Sequence, residues 1–391
     1  MLSLEKTRPV WAEINLDHLA HNMREIRNLV KKEIKITGVI KADAYGHGAL
    51  EIGRTLLENG AERFAVATLS EALELRKGYK DTPILILGYT PKECAQEVIE
   101  NNIIQTIYSL EDAKAYSDVA QKLKKYVIFH IKIDTGMSRI GFLPNKETVE
   151  IIKEIIKFPY VKVEGMFTHF AVADAQSKDF TNKQYERFIS MDRMLKEENI
   201  HIPIRHVGNS ATIMDLPDMH LDMVRAGVIL YGLYPSEEVK KERLNLKPVL
   251  SLKAKISHVK TLDGGVGISY GLKFFTPKKS KIATLPIGYA DGFTRMLSGK
   301  GEALVKGKKV PVVGRICMDQ CMIDVSSIED IQVGEQVILI GSDGKNTILA
   351  DDLANQLGTI NYEIVCMLGR RIPRVYIKNN EVIKIKDYLG M

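Results

Sequence analysis

From Ile36 onward the chain alternates between short, continuously apolar runs and longer stretches whose apolar residues recur every three to four positions. The short runs read as strands buried on both faces, the longer ones as amphipathic helices. The predicted strands are 36–40, 64–67, 84–88, 103–107, 127–134, 161–168, 204–207 and 224–231. Between them lie helices marked by Ile52, Leu56 and Leu57 ahead of Gly60, by 71–77, by a capping box at Thr90-Pro91-Lys92-Glu93, by Ser109 as the cap of a helix to Lys125, by 147–157, and by a long stretch at 182–198. Eight strands alternating with helices is the count of a (β/α)8 TIM barrel. One earlier alternating run, Trp11 to Leu16, is a ninth strand that this count does not accommodate. Asp17 after it can cap a helix carrying Leu19, Met23, Ile26 and Leu29.

Beyond about Leu246 the texture changes. Short strands at 250–262, 282–286, 302–305, 310–313, 322–325 and 336–340 lie between Gly-rich turns, with a helix at 349–357 and one more turn near Tyr362. The expected organisation is a barrel domain over 1–246 and a β-rich C-terminal domain over 247–391, which the strand in 1–16 joins.

Composition narrows the class. At 391 residues the chain exceeds one ordinary domain, and 45% hydrophobic with 27% charged residues suits a globular enzyme. The net charge of +6 is dispersed among many acids rather than gathered into a nucleic-acid patch. Residues 1–9 hold Glu5, Lys6 and Arg8 without the apolar core of a signal peptide, and no run approaches the roughly 18 apolar residues of a membrane span. A cytoplasmic location is expected. Cys94, Cys317, Cys321 and Cys366 form no C-x-x-C pair, so thiols rather than disulfides or a metal site are expected.

Candidate chemistry starts at Lys41, where the first apolar run meets the polar turn Ala42-Asp43-Ala44-Tyr45-Gly46-His47-Gly48. Burial of an ammonium lowers its pKa and makes the amine nucleophilic. The following helix start is a potential anion site. A lysine nucleophile beside an anion site suggests pyridoxal phosphate (PLP). The competing reading is a lysine that snorkels from a strand end. Further polar residues fall at the same ends of other strands: Lys132, Asp134 and Arg139, His169, then His206, Asn209 and Ser210, with Arg225 inside the last strand. Each alone reads as a satisfied strand-end group, but together they line one rim.

Seven motifs in order give a specific resemblance: Val39 to Gly48, Asp134 to Phe142, Thr168 to Ala171, Val224 to Gly227, Ser269-Tyr270-Gly271, Tyr289 to Gly292, and Arg315 to Gln320. Over nearly its whole length the sequence resembles the bacterial alanine racemases. The resemblance implies PLP carried on Lys41 and interconversion of L- and D-alanine by two bases, Lys41 on one face of the substrate and Tyr270 on the other, supplying D-alanine for peptidoglycan. It implies that Tyr45, Asn209, Ser210, the backbone at Gly227 and Val228, and Tyr362 hold the cofactor. Arg225 would face its ring nitrogen, oriented by His169, and Arg139 would bind its ring oxygen and the substrate carboxylate. Met318 would offer a backbone N–H to that carboxylate beside Cys317 and Asp319. Lys132 matches a position often carbamylated, and Tyr289 and Tyr362 would narrow the entrance. Tyr270 and Met318 would act in the partner's site of a homodimer. Other readings are a broader-specificity racemase, a PLP homeostasis protein, which leaves the β-rich domain without a role, and a PLP decarboxylase, which would prefer an acid where Arg225 stands.

Overall fold

The computed structural model describes residues 7–388. It divides into two compact units: a barrel unit of 19–44 and 49–247, and a β-rich unit taking, of the described residues, 7–18, 45–48 and 248–388.

In the barrel unit eight strands form one sheet in the order Ile204–His206, Val161–Phe167, Val127–Lys132, Ile104–Ile107, Ile84–Ile86, Arg63–Val66, Lys35–Val39, Met223–Ala226. All neighbours are parallel. The order follows the chain until Met223–Ala226 returns to pair with Lys35–Val39, which makes the first and last strands of the unit neighbours. The strands are apolar because both faces are covered: Ile36, Phe64, Ile84, Ile86, Phe129 and Ile131 have no solvent exposure. Helices start where polar side chains can take the first free N–H groups. Thr68 and Glu71 form a capping box, and Ser109 and Asn145 cap their helices.

Three local expectations fail for identifiable reasons. Asp17 does not cap the Leu16–Leu29 helix; Asn15 does, its Oδ1 accepting from the His18 N–H at 2.9 Å. The Thr90 box does not form, because Pro91 (ψ 139°) itself occupies the position before a 3-10 turn at Lys92–Cys94, one residue later than the box requires. The last strand ends at Ala226 rather than Tyr231, since Val228–Tyr231 is a 3-10 turn and the Gly227 N–H is taken by Ser210 Oγ.

The β-rich unit is built on an 11-stranded sheet. Val10–Asn15 lies within it, antiparallel to Leu250–Lys255 and parallel to Arg374–Lys378. Helices Ala350–Leu357 and Asn361–Cys366 pack as a pair. Among the described residues no helix is long and apolar enough to cross a membrane.

Candidate active site

Lys41 follows the Lys35–Val39 strand with only Ile40 between. The backbone then turns left-handed: Ala42, Asp43, Ala44 and Tyr45 have φ of 51°, 51°, 56° and 53°. Four consecutive non-glycine residues in this region cost on the order of 1–2 kcal/mol each, so surrounding bonds must hold them. The Ala42 N–H donates to Glu71 Oε1 at 2.6 Å, Ala44 N–H to the Ile40 carbonyl at 3.0 Å, and Asp43 Oδ1 accepts from Ala49 N–H at 2.8 Å. In the β-rich unit, Arg374 Nε donates to the Gly46 carbonyl at 2.9 Å and the Tyr376 hydroxyl to the His47 carbonyl at 3.1 Å. Gly48 (φ 95°) admits no side chain, since a Cβ there would lie 1.8 Å from the Tyr376 hydroxyl. The turn fixes the backbone directly after Lys41 and buries Tyr45, whose ring sits 6.1 Å from that of Tyr362. Burial, with Tyr362 and Cys366 nearby, pushes the Tyr45 phenol far up, so it is a neutral donor.

In the barrel unit cations converge on the rim. Lys132 is 3% exposed and its Nζ donates to the Ile133 carbonyl at 2.9 Å. Burial, followed by the charge of Arg225, lowers it to about 7; Asp134 opposes this and Arg139 adds to it. His169 lies well below the usual imidazole range, through burial first and then the charges of Arg225, Arg139, Lys132 and Lys41. One neutral imidazole thus feels all four cations, which makes this an electropositive site for an anionic ligand.

Arg225 is 3% exposed. Its Nη1 donates to His206 Nδ1 at 2.8 Å and the His206 carbonyl at 3.1 Å. Its Nη2 donates to the carbonyls of Thr168 (2.9 Å) and Val207 (3.1 Å) and to His169 Nδ1 (3.2 Å). All five bonds use Nη1 and Nη2, which leaves the Nε–H for a ligand acceptor. Burial lowers the guanidinium to about 9, still charged at neutral pH. Phe167 stacks on His206, and Lys132 Nζ and Arg225 Cζ lie 5.3 and 5.4 Å from the Phe167 ring centre.

Asn209 caps the Ser210–Asp215 helix, its Oδ1 accepting from Thr212 N–H and Oγ1, both at 3.0 Å. It therefore acts on the backbone that carries Ser210. Ser210 Oγ accepts from Gly227 N–H at 3.0 Å, which leaves its own hydrogen to donate. Val228 opens the 3-10 turn beyond and is buried. Arg139 is exposed, past the Ser138 left-handed position (φ 57°).

The β-rich unit gathers the other candidates. Tyr270 heads a 3-10 turn and is 69% exposed. The preceding Ser269 donates to the Arg315 carbonyl at 2.7 Å and contacts Cys317 Sγ at 3.4 Å. Tyr289 N–H donates to the Cys317 carbonyl and Ala290 N–H to the Met318 carbonyl, each at 3.0 Å. Gly288 allows that approach, since a Cβ would come within 2.2 Å of the Cys317 oxygen. Asp319 accepts from Arg371 Nη2 at 2.7 Å. Tyr270, Tyr289, Cys317, Met318 and Asp319 thus share one neighbourhood, and Tyr45 and Tyr362 another.

Sequence reasoning noted His206 as a rim residue without its bond to Arg225, and missed His130, Glu164, Arg63 and Arg315. Polar residues inside runs expected to be buried strands, His130 in 127–134 above all, were the available signal. The Arg315 guanidinium lies 3.5 Å from where a Gly271 Cβ would stand, a cation beside the Tyr270 turn that only the fold brings there.

The sequence matches the family model described as alanine racemase, N-terminal domain, over residues 14–235, and alanine racemase, C-terminal domain, over 249–376. It is 54% identical over 382 residues to an alanine racemase of Clostridium perfringens, covering 98% of this chain and 99% of that one. The structure is similar to an alanine racemase of Clostridium difficile 630 with a TM-score of 0.95 and 52% identity, covering 98% of this chain and 100% of that one. It is also similar to a histidine racemase of Leuconostoc mesenteroides, with a TM-score of 0.87, 30% identity, and 95% and 99% coverage.

Proposed function

The chain belongs to the alanine racemase family, and from that premise we propose that it interconverts L- and D-alanine on PLP with two bases, as a cytoplasmic homodimer that supplies D-alanine for peptidoglycan. The observation that carries this reading is the buried Arg225, with both Nη groups saturated and Nε–H left over, at a rim where four cations meet.

The residues present fit the cofactor. An unspent guanidinium donor matches a ring nitrogen that accepts, the Ser210 hydroxyl and the neutral Tyr45 phenol match phosphate oxygens, and the cation cluster matches the overall negative charge. Lys41 would carry the cofactor; Tyr45, Ser210 on its Asn209 cap, the backbone at Gly227 and Val228, and Tyr362 would hold it. When bound, PLP supplies an electron sink that makes the alanine Cα–H acidic enough to remove.

Racemisation requires a proton to leave one face of Cα and return to the other, so it requires two groups on opposite sides. In our reading Lys41 Nζ holds or releases the proton on one face. Tyr270 Oη of the partner subunit serves the other, with the Arg315 guanidinium beside its turn. Arg225 keeps its own proton, so it offers a hydrogen bond without handing a proton over; His169, neutral and accepting at Nδ1, orients it. Arg139 and the partner's Met318 N–H bind the substrate carboxylate, with Cys317 and Asp319 shaping that strand end. Tyr289 and Tyr362 narrow the entrance toward a methyl-sized side chain.

Lys132 is read as a carbamate. At about 7 a large share of the amine is neutral at physiological pH, and the neutral amine attacks CO2 with loss of one proton. The product would replace a cation next to Arg225 and Arg139 by an anion. The homodimer reading is supported by exposed apolar surface around the second base: Tyr270, Leu272, Phe275, Tyr289 and Met318 are 69, 54, 55, 41 and 52% exposed.

A racemase of broader specificity is the second reading, favoured by the likeness to a histidine racemase. Rates on alanine, serine, lysine, arginine and histidine, measured side by side with PLP present, decide between them. Alanine should exceed each of the others by at least about a hundredfold, the discrimination a well-fitted pocket gives; comparable rates on several would establish the second reading, and no racemisation of any would end both.

A further inference from the structure

We propose that Glu164 is the terminal charge of a one-directional hydrogen-bond relay, Arg225 to His206 to His130 to Glu164, and that Glu164 and Arg63 are positioning residues for the ring-facing guanidinium. This rests on the reading of Arg225 given above. Arg225 Nη1 meets His206 Nδ1 at 2.8 Å, His206 Nε2 meets His130 Nδ1 at 2.8 Å, and His130 Nε2 meets Glu164 Oε2 at 3.0 Å. Arg63 Nη1 closes the chain on the same Glu164 oxygen at 2.9 Å.

The chain has only one consistent direction. A guanidinium donates and never accepts. His206 Nδ1 must therefore be bare and its proton must sit on Nε2, which donates to His130 Nδ1. His130 is then also bare at Nδ1 and protonated at Nε2, and donates to the carboxylate. Reversing His206 would set donor against donor at Arg225 and leave two bare nitrogens facing, and reversing His130 would set its N–H against that of His206 and a bare nitrogen against the carboxylate. Both imidazoles are buried with no exposure and held neutral, chiefly by that burial. Burial alone would raise Glu164, but its bonds to His130 and Arg63 overcome this and bring it to about 2.

The backbone is shaped for the relay. The Val161–Phe167 strand shifts register between Phe129 and His130, which pair with Val163 and Gly165, so Glu164 is the extra residue of a β-bulge. Bulges re-aim side chains beside active sites. Gly165 next to it makes room for the His130 ring: a Cβ there would stand 2.5 Å from ring atoms. Phe167 clamps the His206 ring by stacking. Barrel interiors are ordinarily filled by branched apolar residues, and a buried polar chain is costly unless every member is satisfied. Here every link is. Arg225 has no carboxylate among its own five partners, and the relay connects it to one through two polarised rings.

The test uses the full chain. Histidine 15N NMR on the protein without cofactor should show His130 and His206 both bare at Nδ1 and protonated at Nε2. Glu164→Gln keeps the shape and removes the charge. It should weaken PLP binding and lower kcat, each about tenfold, the lower end of what outer-shell partners of a bound group contribute, and shift the visible absorbance of bound cofactor, with KM for alanine within about twofold. Arg63→Met should act in the same direction by a smaller factor, and decides by the same readouts if Glu164→Gln does not fold. A merely structural role lowers Tm alone; unchanged PLP affinity, absorbance and kcat in a folded variant would overturn the proposal, as would a protonated His206 Nδ1. If PLP fails to move the Arg225 Nε–H resonance in the wild type, the ring-facing reading of Arg225 fails and the positioning role with it, whereas the tautomers report on the relay independently.

Discussion

Phe167 stacks on His206 with ring centres 4.7 Å apart and planes 5° from parallel, while Lys132 and Arg225 both lie over the same phenyl ring. One aromatic side chain thus restrains the imidazole that orients Arg225 and offers its face to two buried cations. Phe167→Leu keeps most of the apolar volume and removes the stack. We expect a stability loss of about 1–3 kcal/mol by chemical denaturation and a kcat reduced more than KM changes. Retention of both parameters would show that the stack is incidental.

Lys132 carries a second prediction. With its amine lowered to about 7, the carbamate should accumulate as pH rises through 7 and CO2 is supplied. Carbon-13 NMR with labelled bicarbonate should show one carbamate resonance per chain that Lys132→Ala abolishes. Its absence in the wild type at pH 8 under saturating bicarbonate would refute the modification.

Buried histidines predict acid sensitivity. Burial depresses His130, His206 and His169 in the folded chain, so below the ordinary value of 6.5 the unfolded chain takes up protons that the folded chain refuses. Their contribution to stability is complete above 6.5 and lost as pH falls below it. Glu164 acts in the same sense lower down, over the window from the ordinary 4.5 to about 2. Lys132, at about 7 in the folded chain against an ordinary 10.5, makes Tm still rise from pH 7 to 8, the histidines add a fall between 6.5 and 5, and His206→Gln should lower Tm and flatten the fall below 6.5. A wild-type Tm independent of pH from 8 to 5 contradicts the assignment.

Arg225→Glu tests the donor at the ring nitrogen. An acid there can share a proton with the ring, where the guanidinium cannot. Racemisation should slow by at least about a hundredfold, as when a preorganised donor is lost, while transamination of alanine to pyruvate rises. An unchanged ratio of the two rates would remove Arg225 from the control of reaction course.

The alternation of apolar runs and amphipathic stretches made the eight strands legible, because a parallel sheet covered on both faces leaves little room for polar residues within its strands. Lys41, Lys132 and Arg225 stood out for the same reason. The left-handed turn at Ala42–Tyr45 was not legible, since of Ala-Asp-Ala-Tyr only Asp readily takes positive φ; the Glu71 carboxylate, far away in sequence, holds its first N–H. The Glu164 bulge was hidden likewise, because a strand that gains one residue against its neighbour reads in sequence like any other. Asn15 in place of Asp17 as helix cap shows the limit of boundary reading, where two capping residues two positions apart compete.

The central claim is that one catalytic site takes Lys41 from one chain and Tyr270 from its partner. Lys41→Ala and Tyr270→Phe homodimers should each be nearly inactive. After dissociation and random mixing, about half the dimers are mixed, and each has one site with both bases and one with neither, so activity should return to roughly a quarter of wild type by two-fold symmetry. Activity that stays at the level of the two parents, with mixed dimers shown to be present by mass, would contradict the shared site.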